Sequence, residues 1–113
     1  MKPELSIGID IEEIKRVKEL TEKYGERFLN RVFTEREIKY AYKKKNPYPS
    51  LTVRFCAKEA AFKTIGKRVP WKSIEIISLS SGKPTIDIPH KKAIVSLSHT
   101  NMYATAVVLT WND

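Results

Sequence analysis

Apolar and polar positions change period partway along this chain, and the change divides it in two. Leu5, Ser6, Ile7, Gly8 and Ile9 form a short apolar run of strand type. The glycine inside it marks a place of close backbone approach. Asp10 ends the run. Ile11, Ile14, Val17 and Leu20 then recur every three residues, which predicts a helix over 11–24 that breaks at Gly25. A second helical turn over 26–33 turns Phe28, Leu29 and Val32 inward. Thr34 and Glu37 have the spacing of a capping box, so a lysine-rich helix is predicted from there to about Lys45, stopped by the breaker at 46–49. Ser50 is placed to cap a further helix over 51–65, and Gly66 to end it. Beyond Gly66 the period becomes two, predicting strands over 73–79, 85–88, 93–98 and 103–111 with turns at 80–84 and 99–102. The expected fold class is α+β, with N-terminal helices packed on a C-terminal, mainly antiparallel sheet, in a single domain over 1–113.

Length and composition narrow this picture. A chain of 113 residues, 42% hydrophobic and 30% charged, buries a genuine core and is not of the disordered type. No apolar run reaches the ~18–20 residues of a membrane span, and the first residues lack a secretory pattern. One cysteine, Cys56, excludes an internal disulfide and a multi-cysteine zinc site. These features favour the cytoplasm. The net charge of +8 attracts phosphates, nucleic acid, acidic membranes or acidic proteins, without choosing among them.

Few residues stand out as chemistry. Glu59 falls four after Phe55 and three before Phe62, on the stripe that also holds Leu51 and Ile65. A carboxylate on an apolar face needs compensation. A metal ion or an arginine would supply it; a plain pair with Lys63 one turn on would also serve. Asp10, at the junction of strand and helix, suits an N-cap with Glu13 three later. Position alone favours the cap, but a carboxylate at a strand end is also placed to hold Mg²⁺, a hard ion that takes oxygen ligands, with Glu12 as a neighbour. His99 lies between Ser98 and Thr100 at a strand end, where hydroxyls suit a phosphate; a lone histidine there is also an ordinary surface residue.

Three segments together resemble the holo-[acyl-carrier-protein] synthases, the small phosphopantetheinyl transferases. They are Gly8-Ile9-Asp10-Ile11-Glu12-Glu13-Ile14-Lys15-Arg16, Arg54-Phe55-Cys56-Ala57-Lys58-Glu59-Ala60-Ala61-Phe62-Lys63 and Ser96-Leu97-Ser98-His99-Thr100-Asn101-Met102-Tyr103-Ala104. The resemblance covers nearly the whole chain. It implies transfer of the 4′-phosphopantetheine arm of coenzyme A to a serine of apo acyl carrier protein, releasing adenosine 3′,5′-bisphosphate, with Mg²⁺ neutralising phosphate charge. By motif position it implies that Asp10 and Glu59 hold the metal. Glu12 departs from the small synthases, which often carry a neutral residue there; as an acid it is a candidate third ligand or else a capping or solvent-exposed residue. Glu59 would deprotonate the serine, directly or through a metal-bound water, and Lys63 would reach the pyrophosphate. Arg54, Ser98, His99, Thr100 and Lys83 would contact coenzyme A. The resemblance also implies a homotrimer with sites between subunits, and an acidic carrier protein docked on Arg16, Leu20, Arg27, Phe28 and Arg31. The segment 64–71 is short and poor in glycine for the family, and Lys67 and Arg68 are placed to stand in for its phosphate contacts. The rival reading is a small basic nucleic-acid-binding domain, drawing affinity from phosphate neutralisation. Against it, the chain lacks the known nucleic-acid motifs and sets carboxylates where nucleic acid would be repelled.

Overall fold

The computed structural model of the protein describes residues 4–112. The elements are β1 (Leu5–Glu13), α1 (Ile14–Tyr24), α2 (Glu26–Val32), α3 (Glu35–Tyr42), α4 (Tyr48–Ile65), a short 3₁₀ turn (Trp71–Ser73), β2 (Glu75–Ser78), β3 (Pro84–Asp87), β4 (Lys92–His99) and β5 (Tyr103–Trp111). The α+β expectation holds. β1, β5 and β4 form one antiparallel sheet in that order, and β2 and β3 form a hairpin beside it.

The largest departure lies at Asp10. β1 does not stop there; it pairs with β5 in unbroken register through Glu13↔Tyr103, with Asp10 opposite Ala106. Ile14 N–H then donates to the Met102 carbonyl at 2.9 Å, so pairing reaches the β4–β5 turn itself. Asp10 is therefore not a helix cap. The cap position of α1 belongs to Glu13, whose side chain makes no capping bond. The three-residue spacing of Ile11 and Ile14 was a local helix signal, and a long partner strand overrode it.

α4 is the central element, and it too differs from its expected form. It begins at Tyr48, with Pro49 in its first turn, where a missing N–H costs nothing. Ser50 is thus inside the helix and does not cap it. The expected stripe of Leu51, Phe55, Phe62 and Ile65 is only part of its buried surface. Val53, Cys56, Ala57, Ala60 and Ala61 are buried as well, against Ala104, Ala106 and Val108 of β5. On its other side Leu51 joins Val17, Leu29, Val32, Phe33 and Ala41 of the smaller helices. The helix is wedged between two cores, which hides its amphipathic period. Gly66 ends it in the left-handed conformation, φ 82°, as its position predicts.

A buried ion pair ties the layers together. Lys58 Nζ lies 2.7 Å from Glu37 Oε1, both side chains fully inaccessible. The same ammonium donates to the carbonyls of Val32 and Trp71 at 2.7 and 3.1 Å. Glu37 accepts from Thr34 N–H at 2.8 Å, completing the expected capping box, and from Ile76 N–H of β2 at 2.9 Å. Removing one partner strands the other charge in the interior. Lys58→Met should therefore cost about 3–5 kcal/mol, measured as a fall in the urea midpoint. Lys15→Met, which breaks the exposed pair with Glu19, should change stability by under about 0.5 kcal/mol.

Candidate functional site

The inner face of the sheet carries Gly8, Asp10 and Glu12, alternate residues of β1 that all point toward α4. Gly8 is fixed by contact: a Cβ there would lie 2.0 Å from the Ala60 carbonyl oxygen and 3.2 Å from Lys63 Cβ. The sequence signal for close backbone approach is met by α4 itself. With the helix this near, Asp10 falls beside Lys63 and Glu59. Lys63 Nζ donates to the Ile9 carbonyl at 2.7 Å and stands 3.6 Å from Asp10 Oδ1. Lys63 does not pair with Glu59. Glu59 is instead gripped by Arg68, whose two terminal nitrogens reach its two oxygens at 3.2 and 3.4 Å.

Electrostatics mark this cluster. Burial pushes the Asp10 carboxyl above its ordinary value; the Lys63 ammonium opposes that, while the carboxylates of Glu59 and Glu12 add to it. The thiol of Cys56 lies beside Asp10, donates to the Ala104 carbonyl at 3.4 Å, and is pushed far up, chiefly by burial and then by Asp10. Cys56 is therefore a packed thiol and not a nucleophile. Two oxygen ligands of like charge, with side chains only 19% and 20% exposed, suit a hard divalent ion that keeps waters and phosphate oxygens in its shell. Glu12 is occupied elsewhere, its carboxylate 3.0 Å from Arg16. Among the described residues no three Asp, Glu, His or Cys side chains gather into a metal cage.

Arg54 sits on another side of α4. Five positions separate it from Glu59, or roughly 140° around the helix axis. Its guanidinium is 2% exposed, donates to the Ser50 carbonyl and hydroxyl at 3.2 and 2.8 Å and to Ser78 Oγ at 3.1 Å, and lies 4.4 Å from the Tyr40 ring centre. Its Nε has no hydrogen-bond partner. Burial draws its pKa down, opposed by Glu37 and Tyr40. The Tyr40 phenol is in turn drawn down, first by its bond to Ser78 and then by Lys44 and Arg54, against its own desolvation. Arg54 faces an open cavity of about 430 Å³ whose lining includes Tyr40, Lys44, Ser98 and His99. Three of the residues predicted to touch coenzyme A thus share one cavity. Gly82 lines it too, while Lys83 is exposed on the adjoining turn. Thr100 is used inside the β4–β5 turn, its hydroxyl accepting from Met102 and Tyr103 N–H at 3.1 and 3.0 Å. Tyr40, Lys44 and Ser78 escaped the sequence reading, and Ser50 was read there only as a cap, because they come from separate stretches of the chain and none carries a motif.

The residues expected to dock a carrier protein lie on α1 and α2. Arg16, Arg27 and Arg31 are exposed; Leu20 and Phe28 are half-buried, Phe28 packed edge-on against Phe33 at 5.9 Å. The structure sets these cations beside Leu20 and Phe28, with Arg16 also paired to Glu12 at 3.0 Å.

Two carboxylates with a lysine on one side of α4, and a cavity lined by Arg54, Lys44 and His99 on another, are the chemical features of this small α+β scaffold. Residues 6–108 match the 4′-phosphopantetheinyl transferase superfamily. The chain is 44% identical to the holo-[acyl-carrier-protein] synthase of Thermodesulfovibrio yellowstonii over 91% of its length and 95% of the relative's. It is 43% identical to that of Chlamydia trachomatis, covering 91% and 96%. Among solved structures it superposes on the Bacillus anthracis holo-(acyl-carrier-protein) synthase in complex with coenzyme A (3′,5′-ADP), with a TM-score of 0.88, 29% identity and coverage of 99% and 100%. The Helicobacter pylori synthase in complex with coenzyme A gives 0.83, 26%, 92% and 98%. The chain belongs to the 4′-phosphopantetheinyl transferase superfamily, within its holo-[acyl-carrier-protein] synthase group.

The raised Asp10 carboxyl makes stability depend on pH. The folded protein holds that proton more tightly than the unfolded chain, so stability falls as pH rises through the window above the ordinary aspartate value of 3.8. In metal-free buffer Asp10→Asn should melt higher than wild type at pH 7, and the gap should close below about pH 4. Thermal melts across pH read both.

Proposed function

We propose that this chain transfers the 4′-phosphopantetheine group from coenzyme A to a serine hydroxyl of apo acyl carrier protein, releasing adenosine 3′,5′-bisphosphate. The observation that carries the reading is the juxtaposition of Asp10, Glu59 and Lys63 where Gly8 lets α4 touch β1, in a chain 44% identical to a holo-[acyl-carrier-protein] synthase. Glu59 takes the proton of the attacking serine, directly or through a water. The serine oxygen bonds to the phosphorus next to the pantetheine. The bond from that phosphorus to the bridging oxygen breaks, and the nucleotide leaves with the oxygen. Lys63, anchored on the Ile9 carbonyl, turns its charge toward the pyrophosphate. Asp10 and Glu59 are the residues that would hold Mg²⁺, which supplies charge neutralisation for the phosphates. Arg54, Ser98 and His99 recognise the phosphoadenosine end, with Lys83 and Thr100 at its margin and Glu12 at the edge of the metal site. The reaction is placed in the cytoplasm, in one domain over 1–113. No helix among the described residues is long and apolar enough to cross a membrane.

The site is assigned to the junction between copies of the chain, in a homotrimer. Two observations support this. Arg54 and Glu59 face different sides of α4, and His99 lies on β4, two strand spacings or roughly 10 Å from β1. A ligand spanning both clusters is better served by two chains than by one. Second, the outer sheet face is apolar and bare: Leu5, Ile7, Ile9 and Ile11 are 60–68% exposed and Ile94 is 55% exposed. Register sets Ile7, Leu109 and Ile94 side by side across three strands. A surface of this kind marks an interface. The basic α1–α2 face, with Arg16, Arg27 and Arg31 around Leu20 and Phe28, is assigned to the acidic carrier, where charge steers encounter. The nucleic-acid reading has no observation of its own in the structure.

The test is intact mass of an apo carrier protein after incubation with the chain, coenzyme A and Mg²⁺. The carrier should gain one phosphopantetheine, and Glu59→Gln should slow the gain about 10²–10⁴-fold while the fold persists. Full-rate modification by Glu59→Gln would remove Glu59 from the reaction. Separately, Ile7→Asp should convert the oligomer to a monomer in sedimentation; a wild-type chain already monomeric at working concentration would defeat the shared site.

A further inference from the structure

The grip of Arg68 on Glu59 conflicts with the role just assigned to Glu59. A guanidinium fork takes one lone pair on each Glu59 oxygen and sets a cation where a divalent ion would approach, and two cations so close repel. We infer that Arg68 is an exchangeable counter-charge: it neutralises Glu59 in the ligand-free protein and passes to the phosphoanhydride of coenzyme A when metal and coenzyme arrive. The inference rests on the transferase reading above and adds a residue to it.

Several features fit an exchange and not a fixed structural pair. Arg68 lies in the irregular segment between α4 and the 3₁₀ turn, and its side chain is 67% exposed. Glu59 supplies its hydrogen-bonding contact. By comparison Lys58, one position before Glu59, is held on three sides and wholly buried. The Arg68 guanidinium is also close to two aromatic rings, 5.4 Å from the centre of Phe62 and 5.8 Å from that of Trp71. Those rings give it a platform on which to stay when Glu59 lets go.

The surroundings invite an anion once that happens. A cavity of about 590 Å³ beside α4 is floored by Phe62 and Trp71 and rimmed by Arg31, Arg68 and Lys72. No carboxylate lines it. The segment after Gly66 runs Lys67-Arg68-Val69-Pro70, so it offers neither further glycine nor, at Pro70, a backbone N–H for an anion. Beside the Lys67 ammonium and the backbone N–H groups of 67–69, the Arg68 side chain is the one planar fork in this segment. Bidentate recognition of phosphate is what a guanidinium does well and an ammonium does poorly.

The inference makes two predictions of opposite sign for one substitution. With Mn²⁺ alone as probe, Arg68→Ala should bind metal about threefold or more tighter than wild type, because Glu59 no longer carries a competing cation. With coenzyme A in the presence of Mg²⁺, the same variant should bind about tenfold weaker, with Arg68→Lys between the two. Calorimetry reads both affinities, and a melting curve confirms that each variant is folded; Arg68→Gln repeats the test if the alanine variant is not. Unchanged or weaker Mn²⁺ binding in Arg68→Ala overturns the exchange. Unchanged coenzyme A affinity overturns the anion role. If wild type itself binds no coenzyme A, the transferase reading fails and takes this inference with it, whereas wild-type binding with an indifferent variant condemns Arg68 alone.

Discussion

A lysine and a glutamate shut away from water, Lys58 and Glu37, hold the helical and strand layers of this protein in one arrangement. Neither charge can return to solvent without pulling the structure apart, so each must find partners from several elements at once. Lys58 on α4 gathers the end of α2 and the 3₁₀ turn; Glu37 on α3 gathers its own N-terminus and the first pairs of β2. Five separate segments are therefore registered to one pair of charges. The pair contributes less to net stability than its short distance suggests, since desolvation offsets most of the attraction. Its effect is positional. α4 cannot rotate without stranding Lys58, and every side chain assigned to the chemistry of α4 inherits that fixed rotation.

The rotation matters because α4 has a different task on each side. Lys58 faces the helices. Ala57, Ala60 and Ala61 are small enough for the helix to press onto the sheet, and Gly8 removes the last obstacle. That contact brings Asp10 within reach of Lys63 and leaves Glu59 at the rim. Arg54 faces the cavity shared with Ser98 and His99. Packed on two sides, α4 keeps only a narrow rim in solvent, where Glu59 and Lys63 stand among packing residues.

Several features are unfavourable in the isolated, ligand-free chain. Asp10 is desolvated beside two other carboxylates, Arg54 has an unpartnered Nε, and a sheet face of isoleucines meets water. Each becomes reasonable with a specific companion: a divalent cation, an anion, and further copies of the chain. Strain of this kind collects at sites and interfaces, and it is tolerated because the core built on α4 is well packed elsewhere. On a molecule of net charge +8 these carboxylates are each met by a cation, Asp10 by Lys63, Glu59 by Arg68 and Glu12 by Arg16.

Local information in the sequence was enough for much of this. Period-two runs placed the C-terminal strands, the Thr34–Glu37 spacing gave the capping box, and Gly66 marked the end of α4, because turns and caps depend on neighbours within a few residues. The motifs around Asp10, Glu59 and Lys63 named the family for the same reason: their residue types are fixed by chemistry at short spacing. What depended on distant segments was decided only in the tertiary structure. Asp10 to Glu13 became strand because β5, some ninety residues away, offered a full ladder that outweighed helical spacing. Lys58 looked like one more lysine until Glu37 was brought to it. Of the compensations open to Glu59, the structure realises an arginine, Arg68, and not the Lys63 pair, because the chain folds back after Gly66 while Lys63 is drawn to the Ile9 carbonyl in the middle of β1. Partner choice among charges is set by which elements the core packs together, and no window along the chain contains that information.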